Sequence, residues 1–151
     1  MDPSDSPSSP PAPPPLLAID FRIGPVEEAV RLVRGQIRTL LVDHGFGEAK
    51  VEAVLLGLDE VVMNACFHGG AAATQQAVEL KVAIHDDRVA FEVLDRGTFR
   101  RRAGHEREAA ALPDDDAESG RGLFLIHATM DEVRFDAREG GGTRVWLVKR
   151  R

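Results

Sequence analysis

The spacing of apolar residues changes along this chain, from every second position to every third or fourth and back again. Alternating apolar side chains in residues 16–22 predict a first strand. Pro25 then marks the start of a helix, since proline is harmless at the first helical position. Gly45 is typical of a left-handed helix end. A second helix is predicted for residues 48–68.

Strand patterns dominate the second half of the chain. A tight turn at Asp86 and Asp87 separates two alternating segments, so we expect an antiparallel hairpin there. The following aperiodic stretch, residues 98–119, is long enough to suggest a functional lid. The remaining predicted elements are strands at residues 78–84 and 89–94, a short helix at 123–130, and last strands at 133–135 and 143–148.

Helices gathered early and strands paired later predict an α+β fold. We expect a two-layer α/β sandwich, with helices on one face of a mixed, mostly antiparallel sheet. The folded domain should span residues 16–151. Residues 1–15 are almost entirely Pro, Ser, Ala and Asp, which offer little apolar surface to offset chain entropy, so they predict a disordered tail.

Composition narrows the class of protein. Cys66 is the only cysteine, which excludes an intrachain disulfide and predicts a small buried helix residue. The formal net charge of −6 argues against direct binding of nucleic acid, which rests on a basic surface. No apolar stretch approaches the roughly 18 residues that suggest a membrane span. We therefore expect a cytoplasmic protein without a membrane segment.

An unusual polar stripe follows the second predicted helix. It consists of Ala53, Gly57, Glu60, Asn64 and His68, lies between two apolar sectors, and contains no Lys or Arg. Glycine costs about 1 kcal/mol against alanine in a helix interior, so we expect something to approach the backbone at Gly57. Glu60 is a candidate general base, and Asn64 a candidate oxygen ligand of Mg²⁺. The alternative is a polar stripe bonded to neighbouring loops.

Two further candidates lie at strand ends. Asp95 ends an apolar strand and precedes Arg96 and Gly97, where its carboxylate could accept a hydrogen bond from an exocyclic amine. The alternative role is to stabilise the turn. Thr143 begins the last strand, where its hydroxyl is placed to contact a base, directly or through water, or to serve only as a strand residue.

A glycine-rich segment precedes the third predicted helix. Ser119 is a good N-cap, and Gly120, Arg121 and Gly122 follow it directly before Leu123. Free amide groups at such a helix start bind phosphates well. The alternative is an ordinary capped junction between a loop and a helix.

The order of these motifs resembles the N, G1, G2 and closing boxes of the GHKL superfamily of ATPases and kinases. The matching segments are Glu60 to His68, Asp95-Arg-Gly97, Gly120-Arg-Gly122-Leu123 and Gly142-Thr143. The compact layout is most similar to anti-sigma-factor serine/threonine kinases of the RsbW and SpoIIAB type. The resemblance implies the Bergerat ATP-binding fold with an ATP lid.

The resemblance also implies roles for individual residues. Glu60 would activate the substrate hydroxyl, Asn64 would hold Mg²⁺, and Asp95 would bind the adenine amino group. Gly97, Gly120 and Gly122 would let the lid fold over the phosphates. The remaining residues expected to contact ATP are His68, Arg121, Leu123 and Thr143.

By the same resemblance, the partners would be a STAS-domain anti-anti-sigma protein, which is phosphorylated, and a sigma factor, which is sequestered. A homodimer is also implied. The sequence departs from many relatives after Gly97, where Thr98, Phe99 and Arg100 replace an expected second glycine. That change favours the rival hypothesis of an ATP-gated binding module without phosphotransfer, whereas the retained Glu60 favours a kinase. An ATP hydrolase that drives a conformational cycle is the third alternative.

Overall fold

The computed structural model describes residues 10–68, 77–96 and 118–151. The elements follow the predicted order of strand, two helices, hairpin, helix and two strands. Their bounds are β1 Leu17–Ile23, α1 Glu27–Asp43, α2 Glu48–Met63 with a π-helical turn at Asn64–His68, β2 Val78–Ile84, β3 Arg88–Asp95, α3 Glu118–Thr129, β4 Glu132–Ala137 and β5 Thr143–Arg150.

The strands form one sheet in the order β1-β2-β3-β5-β4. All four pairings between the described strands are antiparallel, so the expectation of a mixed sheet is wrong for this part of the chain. The physical reason is the position of β5. The crossover through α3 makes β4 parallel to β3, but β5 lies between them and pairs with both.

The core lies between the helices and one face of the sheet. Alternate residues of β2 and β3 point towards the helices, including Leu80 and Phe91, which are fully buried against apolar side chains of α2. The opposite face carries charged residues such as Glu92 and Arg144, whose side chains approach to 2.8 Å. The α+β sandwich with helices on one face is therefore confirmed.

Helix α2 is buried on most sides because it lies between α1 and α3. A Cβ at Gly57 would run into the Thr129 hydroxyl and lie 3.1 Å from Met130 Cε. The expected close approach at Gly57 is confirmed, and the approaching element is α3. The smaller of the two apolar sectors of this helix consists of Leu56 and Met63. It is only partly covered, since Met63 packs against the core whereas Leu56 is 45% exposed.

The end of α2 departs from the predicted continuous helix over residues 48–68. The α-helix ends at Met63, and residues Asn64–His68 form a π-helical turn. A π-turn holds more residues than an α-turn, so its backbone moves His68 out of the α-helical spacing expected from Glu60 and Asn64. Such turns occur often at functional sites.

Helix α3 begins earlier than predicted. Its first residue is Glu118, so Ser119 is not an N-cap and the segment from Gly120 to Gly122 lies inside the helix. Two glycines lower local helix propensity, but propensity is a weak preference that packing overrides. Here α3 packs along α2 through Gly57 and Gly122. Of the helices in the three described ranges, none is long and apolar enough to cross a membrane.

Candidate functional site

A small pocket lies where α2, α3 and the ends of β3 and β5 meet. Its volume is about 20 Å³, which admits a water molecule and no larger group. The walls are mostly apolar, and the polar groups come from three elements. The lining residues are Val61, Asn64, Ala65, Asp95, Ile126, Phe135, Thr143 and Val145.

Asp95 is the last residue of β3, and Thr143, the first residue of β5, is its cross-strand neighbour. They are 6% and 8% exposed, and they are the two buried polar residues of the described ranges. Burying a carboxylate is unfavourable unless polar groups surround it. A buried acceptor beside a hydroxyl, within apolar walls, suits a flat heterocycle with an exocyclic amine.

The hairpin between β4 and β5 holds the backbone of Asp95. Arg138 donates a hydrogen bond from Nη1 to the Asp95 carbonyl oxygen at 2.9 Å. Gly142, with a φ of 104°, lies directly against the same peptide, so that a Cβ there would be 2.7 Å from Arg96 Cα. Arg138 did not stand out in the sequence, because its partner lies 43 residues away.

Cys66 lies below this strand end and is fully buried, as the sequence predicted. Burial, and then the negative charge of Asp95, raises the pKa of the Cys66 thiol to about 11. A thiol with so high a pKa stays protonated at neutral pH and is a poor nucleophile. Cys66 therefore serves as a packing residue beneath the site.

Asn64 lines the pocket, Glu60 lies beside it, and both side chains face α3. A Cβ at Gly122 would be 2.9 Å from Glu60 Oε2 and 3.7 Å from Asn64 Nδ2. Both side chains are only half-buried, so they remain within reach of a substrate. A carboxylate and an amide oxygen one helical turn apart provide a proton acceptor next to a ligand for a hard cation.

The structure thus brings together five of the residues that the sequence singled out: Asn64, Asp95 and Thr143 around the pocket, and Glu60 and Gly122 beside it. Leu123 follows on α3 and is 7% exposed. Gly120 and Arg121 belong to the first turns of α3, and His68 ends the π-turn. Gly97 and residues 98–117 of the predicted lid lie outside the described residues, whereas its last two residues, 118 and 119, belong to α3.

Sequence reasoning missed the apolar walls of the pocket. Ile126 and Phe135 come from α3 and β4, far along the chain from Asn64. Their only signal in the sequence was an apolar character suited to any core position. The contact between the His127 and Phe135 rings, with centroids 6.4 Å apart, further ties β4 to α3 at this wall.

Comparison with known proteins identifies the class. Residues 25–149 match the histidine kinase-like ATPase domain, so the chain belongs to this family. The family and its GHKL-type fold agree with the resemblance noted from the motifs. Membership of this family implies that the chain binds ATP.

Among individual relatives, the chain is similar to the serine-protein kinase RsbW of Bacillus pumilus, with 26% identity over 129 residues, covering 81% of this chain and 80% of the relative. It is also similar to the anti-sigma F factor of Clostridium beijerinckii, with 26% identity over 102 residues, covering 67% of this chain and 71% of the relative. Its relatives thus include serine kinases and anti-sigma factors.

Two solved structures share the fold. One contains the RsbU and RsbW domains of a Mycobacterium tuberculosis protein, with a TM-score of 0.65 and 24% identity over 90% of this chain. This chain spans about a third of that protein, 33% of its length. The other is the SiaB–SiaC complex of Pseudomonas aeruginosa, with a TM-score of 0.64, 15% identity, and 89% of each chain covered.

Proposed function

We propose that this protein is an ATP-dependent serine/threonine protein kinase and anti-sigma factor of a partner-switching system. Its substrate would be a STAS-domain anti-anti-sigma protein, and its other partner a sigma factor. The names of relatives, which include a serine-protein kinase and an anti-sigma factor, support both halves of the proposal. The single observation that carries it is the placement of Glu60 and Asn64 against Gly122, beside the pocket that holds Asp95.

The nucleobase end of the site follows from Asp95. Its buried carboxylate accepts a hydrogen bond from the adenine amino group, and the Thr143 hydroxyl lies next to it. The apolar side chains of Val61, Ile126 and Val145 would enclose the ring. Because the cavity volume is only about 20 Å³, the walls must separate when a nucleotide enters.

The phosphate end follows from Glu60 and Asn64. The hydroxyl oxygen of the substrate serine or threonine attacks the γ-phosphorus, the bond to the bridging oxygen breaks, and ADP leaves. Glu60 accepts the hydroxyl proton. Asn64 would hold Mg²⁺, an ion that takes few protein ligands, and the ion would supply positive charge that neutralises the phosphates.

Calorimetry with Mg-ATP, followed by mass measurement of a purified STAS-domain partner, tests the proposal. We expect Asn64→Ala to weaken Mg-ATP binding about tenfold or more and to slow transfer as severely as loss of Glu60. Glu60→Gln should bind Mg-ATP normally but add phosphate at least about 100-fold more slowly, the usual contribution of a general base. Glu52→Gln is the matched control, because Glu52 lies on the same helix and pairs with Arg38 at 2.6 Å.

The outcomes of this experiment distinguish the kinase from its alternatives. If the wild type binds Mg-ATP and the partner but transfers no phosphate, the ATP-gated binding module replaces the kinase. If the wild type does not bind Mg-ATP, both nucleotide functions are wrong. Equal transfer by Glu60→Gln and the wild type would remove Glu60 from its role as base.

We further propose a homodimer formed through the β1 edge. No described strand pairs with the outer side of β1, and an open edge strand readily adds another strand. Beside it, a groove is lined by Ile19, Phe21 and Leu32, and Leu32 is 63% exposed. A second copy related by twofold symmetry would cover both the edge and the groove.

Sedimentation tests the dimer. Leu32→Glu should shift the protein towards monomer, because it places a charge in the apolar interface. Val42→Glu is the control, since Val42 is on the same helix and 56% exposed but does not line the groove. A wild type that sediments as a monomer at all accessible concentrations would disprove the dimer.

A further inference from the structure

The β4–β5 hairpin makes a contact outside the catalytic and nucleotide-binding groups of the proposed function. Arg138 follows the last residue of β4, and its guanidinium reaches across to the carbonyl oxygen of Asp95 at 2.9 Å. The bond joins a permanent positive charge to the peptide that carries the buried carboxylate. Bonds with a charged donor are stronger and more directional than neutral ones.

Gly142, on the β5 side of the hairpin, makes a second contact with the peptide between Asp95 and Arg96. The Gly142 backbone is pressed against Asp95 and Arg96, close enough to exclude any side chain at position 142. The hairpin closes on itself, because the amide of Arg138 donates to the Gly142 carbonyl at 3.0 Å. Arg138 and Gly142 are therefore one rigid unit that holds the end of β3.

The location of this unit gives it a specific consequence. β3 ends at Asp95 and Arg96 is exposed, so the buried carboxylate extends from the last residue of the strand. A carboxylate that recognises an amine must be held within a few tenths of an ångström and a narrow range of angles. Arg138 restrains the main chain from which that side chain extends.

We infer that Arg138 is a positioning residue that sets the adenine specificity of this site through the main chain of Asp95. The inference rests on the proposed nucleotide function. Arg138 does not touch the base. Its loss should loosen the direction of the Asp95 carboxylate and so weaken recognition of the exocyclic amino group, with little effect on the phosphate end around Asn64.

The test compares Mg-ATP with Mg-ITP, in which an oxygen replaces the amino group. We expect the wild type to prefer ATP, and Arg138→Gln to reduce that preference about tenfold by weakening ATP binding while ITP binding stays the same. The control is Arg134→Gln, because Arg134 lies on β4, close to Arg138 in the chain, but its side chain is 65% exposed and pairs with Asp136 at 3.2 Å. It should keep the wild-type preference.

The outcomes separate this inference from the function on which it rests. If Arg138→Gln weakens both nucleotides equally, or neither, Arg138 has a general structural role or none, and the inference is wrong. If the wild type binds both nucleotides equally, Asp95 does not read the amino group, which also overturns the inference. If the wild type binds neither nucleotide, the proposed function fails and the inference fails with it.

Discussion

Glu60 of α2 and Gly122 of α3 face each other so closely that a Cβ at position 122 would lie 2.9 Å from Glu60 Oε2. The glycine therefore leaves room for the carboxylate rather than serving only as a flexible joint. Any side chain at position 122 must displace the end of Glu60, which can rotate away at little cost to folding.

Gly122→Ala should consequently reduce phosphotransfer more than stability. We expect transfer to a STAS-domain partner to fall about tenfold to 100-fold, the range for a misplaced catalytic group, with little change in melting temperature. Adding Gly122→Ala to Glu60→Gln should cause no further loss, since both act on the same group. Additive losses in the double variant would show that Gly122 acts through something other than Glu60.

Gly57 shows the opposite balance, because its neighbours are buried Met130 and the Thr129 hydroxyl, which is held by a 2.6 Å hydrogen bond to the Leu125 carbonyl oxygen. An alanine there would collide with Thr129 and press on Met130, so α2 and α3 must move apart. We expect Gly57→Ala to lower the free energy of unfolding by about 1–3 kcal/mol, the usual cost of overpacking. Urea denaturation measures it.

Gly35→Ala is the matched control for that substitution. Gly35 is also inside a helix, but nothing lies within 4 Å of the position that a Cβ would take there, so alanine should stabilise α1 by about 0.5–1 kcal/mol. Equal effects of the two substitutions would mean that the packing between α2 and α3 is loose at Gly57.

The sequence predicted best where one face of an element is apolar and the other polar. β2 was predicted at residues 78–84, the bounds that the structure has. β4 was predicted only at residues 133–135, because its outer face carries Glu132, Arg134 and Asp136 at a sheet edge, and the apolar signal came from the inner residues alone. The early start of α3 was missed because its two glycines oppose helix formation until α2 packs against them.

The residues of the site also fall into those that the sequence predicted and those that it did not. Residues with distinctive chemistry, such as Glu60, Asn64 and Asp95, were found because acids and amides on apolar elements stand out. Arg138 and the walls of the pocket were not, because an arginine after a strand and a phenylalanine within one have many ordinary roles. The pairing of β5 with both β3 and β4 brings Arg138 and Phe135 to the site.

Lys149 provides a prediction about the C-terminal end of α3. Its side chain is 15% exposed, and its ammonium group donates to the Thr129 carbonyl oxygen at 2.7 Å, where the helix leaves carbonyl groups unpaired. We expect Lys149→Met to lower the free energy of unfolding by about 1–2 kcal/mol, since it removes a charged, largely buried hydrogen bond.

Lys50→Met distinguishes that effect from the loss of any lysine. Lys50 also donates to a carbonyl oxygen, that of Arg150, but at 3.2 Å and in an exposed setting. Its replacement should change stability by less than about 0.5 kcal/mol. A loss as large as that of Lys149→Met would contradict the argument from burial.

The last prediction concerns pH and the buried thiol of Cys66. Its pKa is raised from 9.0 to about 11, so the folded state keeps the proton when the unfolded state has released it. The thiol thus contributes stability that is complete below pH 9 and is lost as the pH rises towards 11. One pKa unit corresponds to roughly 1.4 kcal/mol, so the rise from 9.0 to about 11 should make the loss on the order of 3 kcal/mol.

Comparison of the wild type with Cys66→Ala isolates this contribution from the other groups that titrate in alkali. The difference in unfolding free energy between the two proteins should be constant below pH 9 and shrink between pH 9 and 11. Asp95→Asn should lower the thiol pKa, measured from thiolate absorbance, because the neighbouring negative charge is removed. If the thiol titrates at its ordinary pKa in the folded wild type, Cys66 is open to solvent and the core beneath Asp95 is not closed.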